Sequence, residues 1–74
     1  MKITINSTTL IATLNGVPAR IWEGVTESGI PVTCYVTRIA IDKDEPRAAE
    51  FENELTEHAP PSPEVAAIPL RLIL

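Results

Sequence analysis

His58 is the only histidine in the chain, and Glu54 and Glu57 lie close to it in the sequence. Such a group could bind a metal ion or supply a catalytic base, but both roles need partners that converge on one point. The same stretch is the predicted end of a helix, where the helix dipole favours a histidine. We therefore interpret His58 as a surface residue and predict no metal site.

Other residue types that could act as nucleophiles also have structural interpretations. Cys34 lies in an alternating apolar strand, where a free cysteine is typically a small core residue. Ser7, Ser28 and Ser62 lie in predicted turns or caps, and none has the sequence pattern of a nucleophile elbow. The three glycines do not have the spacing of a phosphate-binding loop. The sequence predicts a protein that is not an enzyme and needs no cofactor.

Arg20, Trp22 and Tyr35 form the first candidate group for binding a partner. Arg20 and Trp22 alternate onto one face of a predicted strand, and Tyr35 lies on the next strand, where it could be their neighbour. Exposed together, these residue types dominate protein interfaces. Trp22 and Tyr35 could alternatively stack bases of single-stranded nucleic acid. In a third interpretation Trp22 packs beneath the helix as a core anchor.

Three glutamates, Glu50, Glu54 and Glu57, form the second candidate group for binding a partner. They are predicted to lie on the helix face opposite an apolar stripe. This surface could dock a basic protein or imitate the phosphates of a nucleic acid. The alternative is a solvated helix face with no partner.

An antiparallel meander is predicted to position these residues. Asn15-Gly16 separates two apolar-rich runs, and this dipeptide suits the positive φ angles of a two-residue hairpin turn. A third strand, rich in β-branched residues, is predicted over Ile30–Ile41. Met1–Asn6 alternates and predicts a first strand, which either bends at Ser7 and Thr8 or runs straight on into Leu10.

One amphipathic helix is predicted to cover this sheet. Asp44 is the expected N-cap, and Ala48, Phe51 and Leu55 form the apolar stripe. Pro60-Pro61 ends this helix.

A second, single-turn helix and a last strand are predicted after the two prolines. Ser62 caps the turn, which runs through Ala67. A strand over Leu70–Leu74 then joins the sheet or pairs with a second copy of the chain in a homodimer. The predicted class is α+β, with three or four antiparallel strands in one domain over residues 1–74.

Charge and cysteine content narrow the classes of function that the sequence allows. The 74 residues carry a net charge of −4, with +1 on residues 1–41 and −5 on residues 42–74. This distribution argues against a nucleic-acid binder that relies on a broad basic surface.

A single cysteine excludes an internal disulfide and fits a reducing compartment. The sequence shows no signal-peptide pattern and no long apolar run, so we expect a cytoplasmic protein without a membrane span.

Three segments resemble small uncharacterised bacterial proteins of prophage or plasmid type. They are Asn15–Gly24, Thr37–Ala40 and Pro60–Leu74. The resemblance implies a bacterial cytoplasm and a mobile-element setting, in which small acidic proteins often bind and block a larger host machine. It transfers no functional residue. The function expected on both grounds is a protein-interaction module, and the resemblance implies an inhibitor of a host or defence complex.

Overall fold

The computed structural model describes residues 1–66 and shows a three-stranded antiparallel sheet with two short helices. The elements are β1 (Ile3–Leu14), β2 (Val17–Thr26), β3 (Pro31–Val36), α1 (Ala48–Glu54) and α2 (Pro63–Ala66). The strand order is β1-β2-β3. The α+β class and the antiparallel meander are therefore confirmed. The predicted strand over Leu70–Leu74 lies outside the described residues.

The hairpin between β1 and β2 forms at the predicted turn. Asn15 has φ 50° and Gly16 has φ 81°, and Leu14 pairs with Val17. Positive φ at both central positions is the signature of a type I′ turn, whose twist matches that of the flanking strands.

β3 is shorter than the sequence pattern predicts. Its pairing with β2 ends at Arg20↔Val36, five residues before the expected end at Ile41. Continued pairing would reach Pro18, which has no N–H to donate to a ladder. The β-branched pattern beyond Val36 therefore lacks a complete partner strand.

β1 is one continuous strand with an irregularity in its middle. Ser7 pairs with Trp22, and the next pair is Ile11↔Arg20. Three residues of β1 thus lie opposite Ile21 alone, which makes a bulge with two extra residues. An even number of extra residues keeps the alternation in phase, so Ser7 and Ile11 stay on the sheet face that carries Arg20 and Trp22.

The small core lies on the other face of the sheet. Ala12, Ile21 and Val65 are buried together, and Leu10 and Tyr35 pack against them. Val65 belongs to α2, so this single-turn helix closes the core.

The predicted cap of α2 is present. The Ser62 hydroxyl accepts a hydrogen bond from the Val65 backbone N–H at 3.3 Å, and the Ser62 N–H donates to Glu23 Oε2 at 3.0 Å. These two bonds fix the start of α2 against β2.

α1 is shorter than predicted at both ends. It begins at Ala48, and its N-cap is Arg47, whose side chain makes no capping bond. Asp44 is therefore not the N-cap. Its backbone N–H instead donates to Asp42 Oδ1 at 2.8 Å in a turn that precedes the helix. The helix ends at Glu54, where the Thr56 hydroxyl bonds the carbonyl of Asn53 at 2.7 Å.

The chain then crosses the edge of β1 in an extended conformation. Ala59 forms a parallel bridge with Thr8, its N–H donates to the Ser7 carbonyl at 3.0 Å, and its carbonyl accepts from the Thr9 N–H at 3.0 Å. We call residues 57–59 the crossing segment, because they join α1 on one sheet face to α2 on the other. His58 therefore lies in an extended segment and not at a helix end.

Within residues 1–66, neither helix has the length and apolar character that crossing a bilayer requires.

Candidate partner-binding cleft

An open cleft separates α1 from the sheet face opposite the core. Strand alternation places Arg20 and Trp22 of β2 and Val36 of β3 on this face. Phe51 and Leu55 line the helix side of the cleft. No residue of α1 is buried, and Leu55 at the end of the helix keeps 41% of its surface exposed. The result is a cleft of about 300 Å³ with mainly apolar walls.

Trp22 is half-buried and lines the cleft. It is not part of the buried cluster around Ile21. Register places Trp22 on the sheet face beneath α1, so the third interpretation is correct about its position under the helix, but Trp22 is not part of the buried core. Its ring forms a wall that a partner can reach.

Tyr35 is not brought to the cleft. It pairs with Ile21, so its side chain points to the core face, while Trp22 pairs with Cys34 on the opposite face. The structure thus separates Tyr35 from Arg20 and Trp22, and it provides no platform in which Trp22 and Tyr35 stack bases side by side. The pairing depends on the length of the turn between β2 and β3, which alternation within each strand does not reveal.

Carboxylates lie at both ends of α1, in two concavities that adjoin the cleft. The first, of about 320 Å³, we call the leading concavity. It contains Asp42, Glu45, Arg47, Glu50 and Glu54. The second, which we call the trailing concavity, contains Ser7, Trp22, Glu54, Glu57 and His58.

The predicted acidic face is accordingly divided between these concavities. Glu54 lines the cleft and both concavities. Glu50 lines the leading concavity, and Glu57 lines the trailing one beyond the end of the helix. The expectation that all three share one helix face is wrong, since the helix stops before Glu57. Glu50 nevertheless shares a concavity with Phe51, Glu57 shares one with Trp22, and Glu54 lines cavities with both aromatic residues.

Two arginines add positive charge to the cleft wall. Arg20 is held in place by a hydrogen bond from Nη1 to the Thr8 carbonyl at 2.8 Å, and Arg38 is exposed. Within residues 1–66 neither guanidinium has a carboxylate within 4 Å, whereas Arg47 pairs with Glu45 at 3.3 Å. The cleft therefore has cationic groups on its sheet side and anionic groups at its ends.

Ser7 and His58 form a contact that the sequence did not predict. The Ser7 hydroxyl donates to the Glu57 carbonyl at 2.8 Å and lies 2.9 Å from His58 Nδ1. The direction of this second bond depends on which imidazole nitrogen carries the proton. The two residues are 51 positions apart in the sequence, and no local pattern signals their pairing.

Across residues 1–66 no three His, Cys, Asp or Glu side chains are grouped closely enough to hold a metal ion. Cys34 is a free, half-buried cysteine on β3.

The site that emerges is an accessible apolar cleft with charged borders, built from Trp22 on the sheet and Phe51 and Leu55 from the helix region. Its volume is at the lower limit of typical small-molecule sites, with room for a few side chains. Comparison of the chain with protein-family models, with curated proteins and with solved structures finds no significant match.

Proposed function

We propose that this protein is a non-enzymatic protein-interaction module and that the cleft is its main contact surface. The observation that carries the proposal is the opening between Trp22 and the pair Phe51 and Leu55. Apolar side chains on the two walls have room between them for side chains of a partner, and such pockets with an aromatic wall are where binding energy concentrates. Glu54 borders the opening, and its carboxylate would orient a cationic group of the partner.

The contact between Ser7 and His58 is assigned a structural role in this proposal. The Ser7 hydroxyl bonds the Glu57 carbonyl at 2.8 Å and lies 2.9 Å from His58 Nδ1, so the pair joins the crossing segment to β1.

The resemblance to prophage and plasmid proteins makes the proposal more specific. In that setting we propose that the module acts in the bacterial cytoplasm as an inhibitor that occupies a surface of a host or defence complex. The negative charge of the α1 region supports a partner with a basic surface, since complementary charge accelerates and orients docking.

The test is to capture a partner and then to change single residues around the cleft. A tagged chain is incubated with nuclease-treated bacterial lysate, and stoichiometrically retained proteins are identified by mass spectrometry. We expect Glu54→Lys to lose the captured partner, because it reverses a charge on the border of the cleft. Glu52→Lys is the matched control, since Glu52 lies on the same helix but lines neither the cleft nor either concavity.

Equal capture by both variants would show that the cleft is not the contact surface. No retained protein at all would contradict the interaction module itself. Unchanged circular dichroism spectra of both variants are required for either conclusion, because Glu52 and Glu54 are both exposed and neither charge should alter the fold.

A second candidate function is structural self-association through the sheet. β3 is an edge strand, and within residues 1–66 only β2 pairs with it. An open edge can accept another strand. In this candidate the segment 70–74 supplies a fourth strand, either within the chain or to a second copy.

A further inference from the structure

We infer that the cleft binds a peptide segment in which one apolar side chain lies between two lysine or arginine residues. This inference rests on the proposed function and specifies the chemistry of the partner. The apolar side chain would enter between Trp22 and Phe51, and the two cationic groups would reach the leading and trailing concavities.

The arrangement of the three cavities supports this segment. The leading concavity shares Phe51 and Glu54 with the cleft, and the trailing concavity shares Trp22 and Glu54 with it. The apolar walls and the carboxylates are therefore parts of one continuous surface. A ligand that fills the cleft passes directly from an apolar environment to an anionic one at each end.

The length of α1 sets the spacing between the cationic groups. The carboxylates found only in the leading concavity precede α1 or lie in its first turn, Glu57 follows the helix, and Glu54 at the end of the helix lines both concavities. A helix of seven residues is about 10 Å long. An extended peptide covers that distance in about three residues, so a leucine with a lysine one or two positions away on each side fits the surface.

Charge complementarity decides against an acidic segment. Asp42, Glu50, Glu54 and Glu57 line the two concavities without an ion pair to any group within residues 1–66. Arg20 and Arg38 line the cleft itself, where the backbone carbonyls of the segment can accept their hydrogen bonds. The lysine or arginine side chains at the two ends of the segment would pair with the carboxylates of the concavities. The backbone carbonyls in the middle of the segment would accept hydrogen bonds from the two arginines.

The test uses the fluorescence of Trp22, the only tryptophan, in the intact chain. Four capped peptides are titrated: leucine between two lysines, leucine between two glutamates, leucine between one lysine and one glutamate, and alanine between two lysines. We expect saturable binding of the lysine–leucine–lysine peptide. Replacing one lysine by glutamate should weaken binding about five-fold, the range expected for one exposed charge pair.

Variants identify where the cationic groups bind. Glu50→Gln combined with Glu57→Gln should weaken binding of the lysine–leucine–lysine peptide about ten-fold or more, while the control Glu52→Gln should leave it unchanged. Raising the salt concentration to about 0.5 M should weaken binding by a similar factor, since exposed pairs are screened.

Several outcomes would overturn the inference. They are equal or tighter binding of the glutamate peptide, equal binding of the alanine peptide, or a stronger response to an oligothymidylate than to any peptide. A failure of all four peptides, together with loss of a lysate partner in Glu54→Lys, would refute the basic-apolar segment and leave the interaction module standing.

Discussion

Thr8 illustrates how a single polar residue can be buried in a small sheet. Its side chain is 1% exposed, and its hydroxyl donates to the Ile21 carbonyl at 2.7 Å and accepts from the Leu10 N–H at 3.3 Å. These two backbone groups face each other across the bulge, where the regular ladder is interrupted. The hydroxyl therefore replaces the hydrogen bonds that the bulge removes.

We expect Thr8→Val to lower the free energy of unfolding by about 2 kcal/mol, because it leaves two buried backbone groups without their partner. Urea unfolding followed by Trp22 fluorescence measures the change. Thr13→Val is the control, since Thr13 is exposed on the same strand and should change stability by less than about 0.5 kcal/mol. Equal effects would mean that the Thr8 hydroxyl does not stabilise the bulge.

At the scale of secondary-structure elements, the crossing segment links α1 on one face of the sheet to α2 on the other face. Its backbone forms a two-bond parallel bridge with the outer edge of β1, and the Ser7 hydroxyl adds bonds to Glu57 and His58. These contacts cover the edge of β1 at the bulge, which limits pairing with another chain there. They also fix the trailing end of the cleft, because His58 lines it.

We expect Ser7→Ala to detach the crossing segment locally while the sheet remains folded. The lost side-chain bonds are partly exposed, so the stability change should be about 1 kcal/mol. Hydrogen exchange of the Thr9 amide, which donates to the Ala59 carbonyl, should accelerate about five-fold. Ser28→Ala, in the exposed turn after β2, provides the control and should leave the Thr9 amide unaffected. An unchanged exchange rate in Ser7→Ala would contradict the joining role of Ser7.

For the whole molecule, the small core limits stability. Within residues 1–66 the buried apolar side chains are Ala12, Ala19, Ile21 and Val65, of which two are alanines. Several larger apolar residues remain exposed, among them Ile11, Ile30 and Ile39. A domain of this length buries only about 60% of its unfolded surface, a smaller fraction than larger domains bury, so its stability is marginal.

We expect a free energy of unfolding below about 5 kcal/mol, at the low end for natural domains. Urea unfolding at two protein concentrations that differ about 30-fold measures it. Under the interaction-module proposal the midpoint should not depend on concentration. A midpoint that rises with concentration would instead support self-association, because assembly stabilises the folded state by mass action.

The sequence determined the local structure where short-range chemistry was decisive. Asn15-Gly16 specified the hairpin turn, Ser62-Pro63 specified the start of α2, and alternation specified which residues of each strand share a face. These features depend on the conformational preferences of a few neighbouring residues, so they can be predicted from the sequence.

Tertiary structure decided everything that depends on register and on distant contacts. Pairing of Ile21 with Tyr35 removed Tyr35 from the predicted surface, and pairing of Trp22 with Cys34 placed Trp22 in the cleft. A shift of one residue would reverse both outcomes, and local propensity does not specify that shift. The meeting of Ser7 with His58 and the opening of the cleft beside α1 likewise depend on how the chain crosses the edge of β1, which no local sequence pattern encodes.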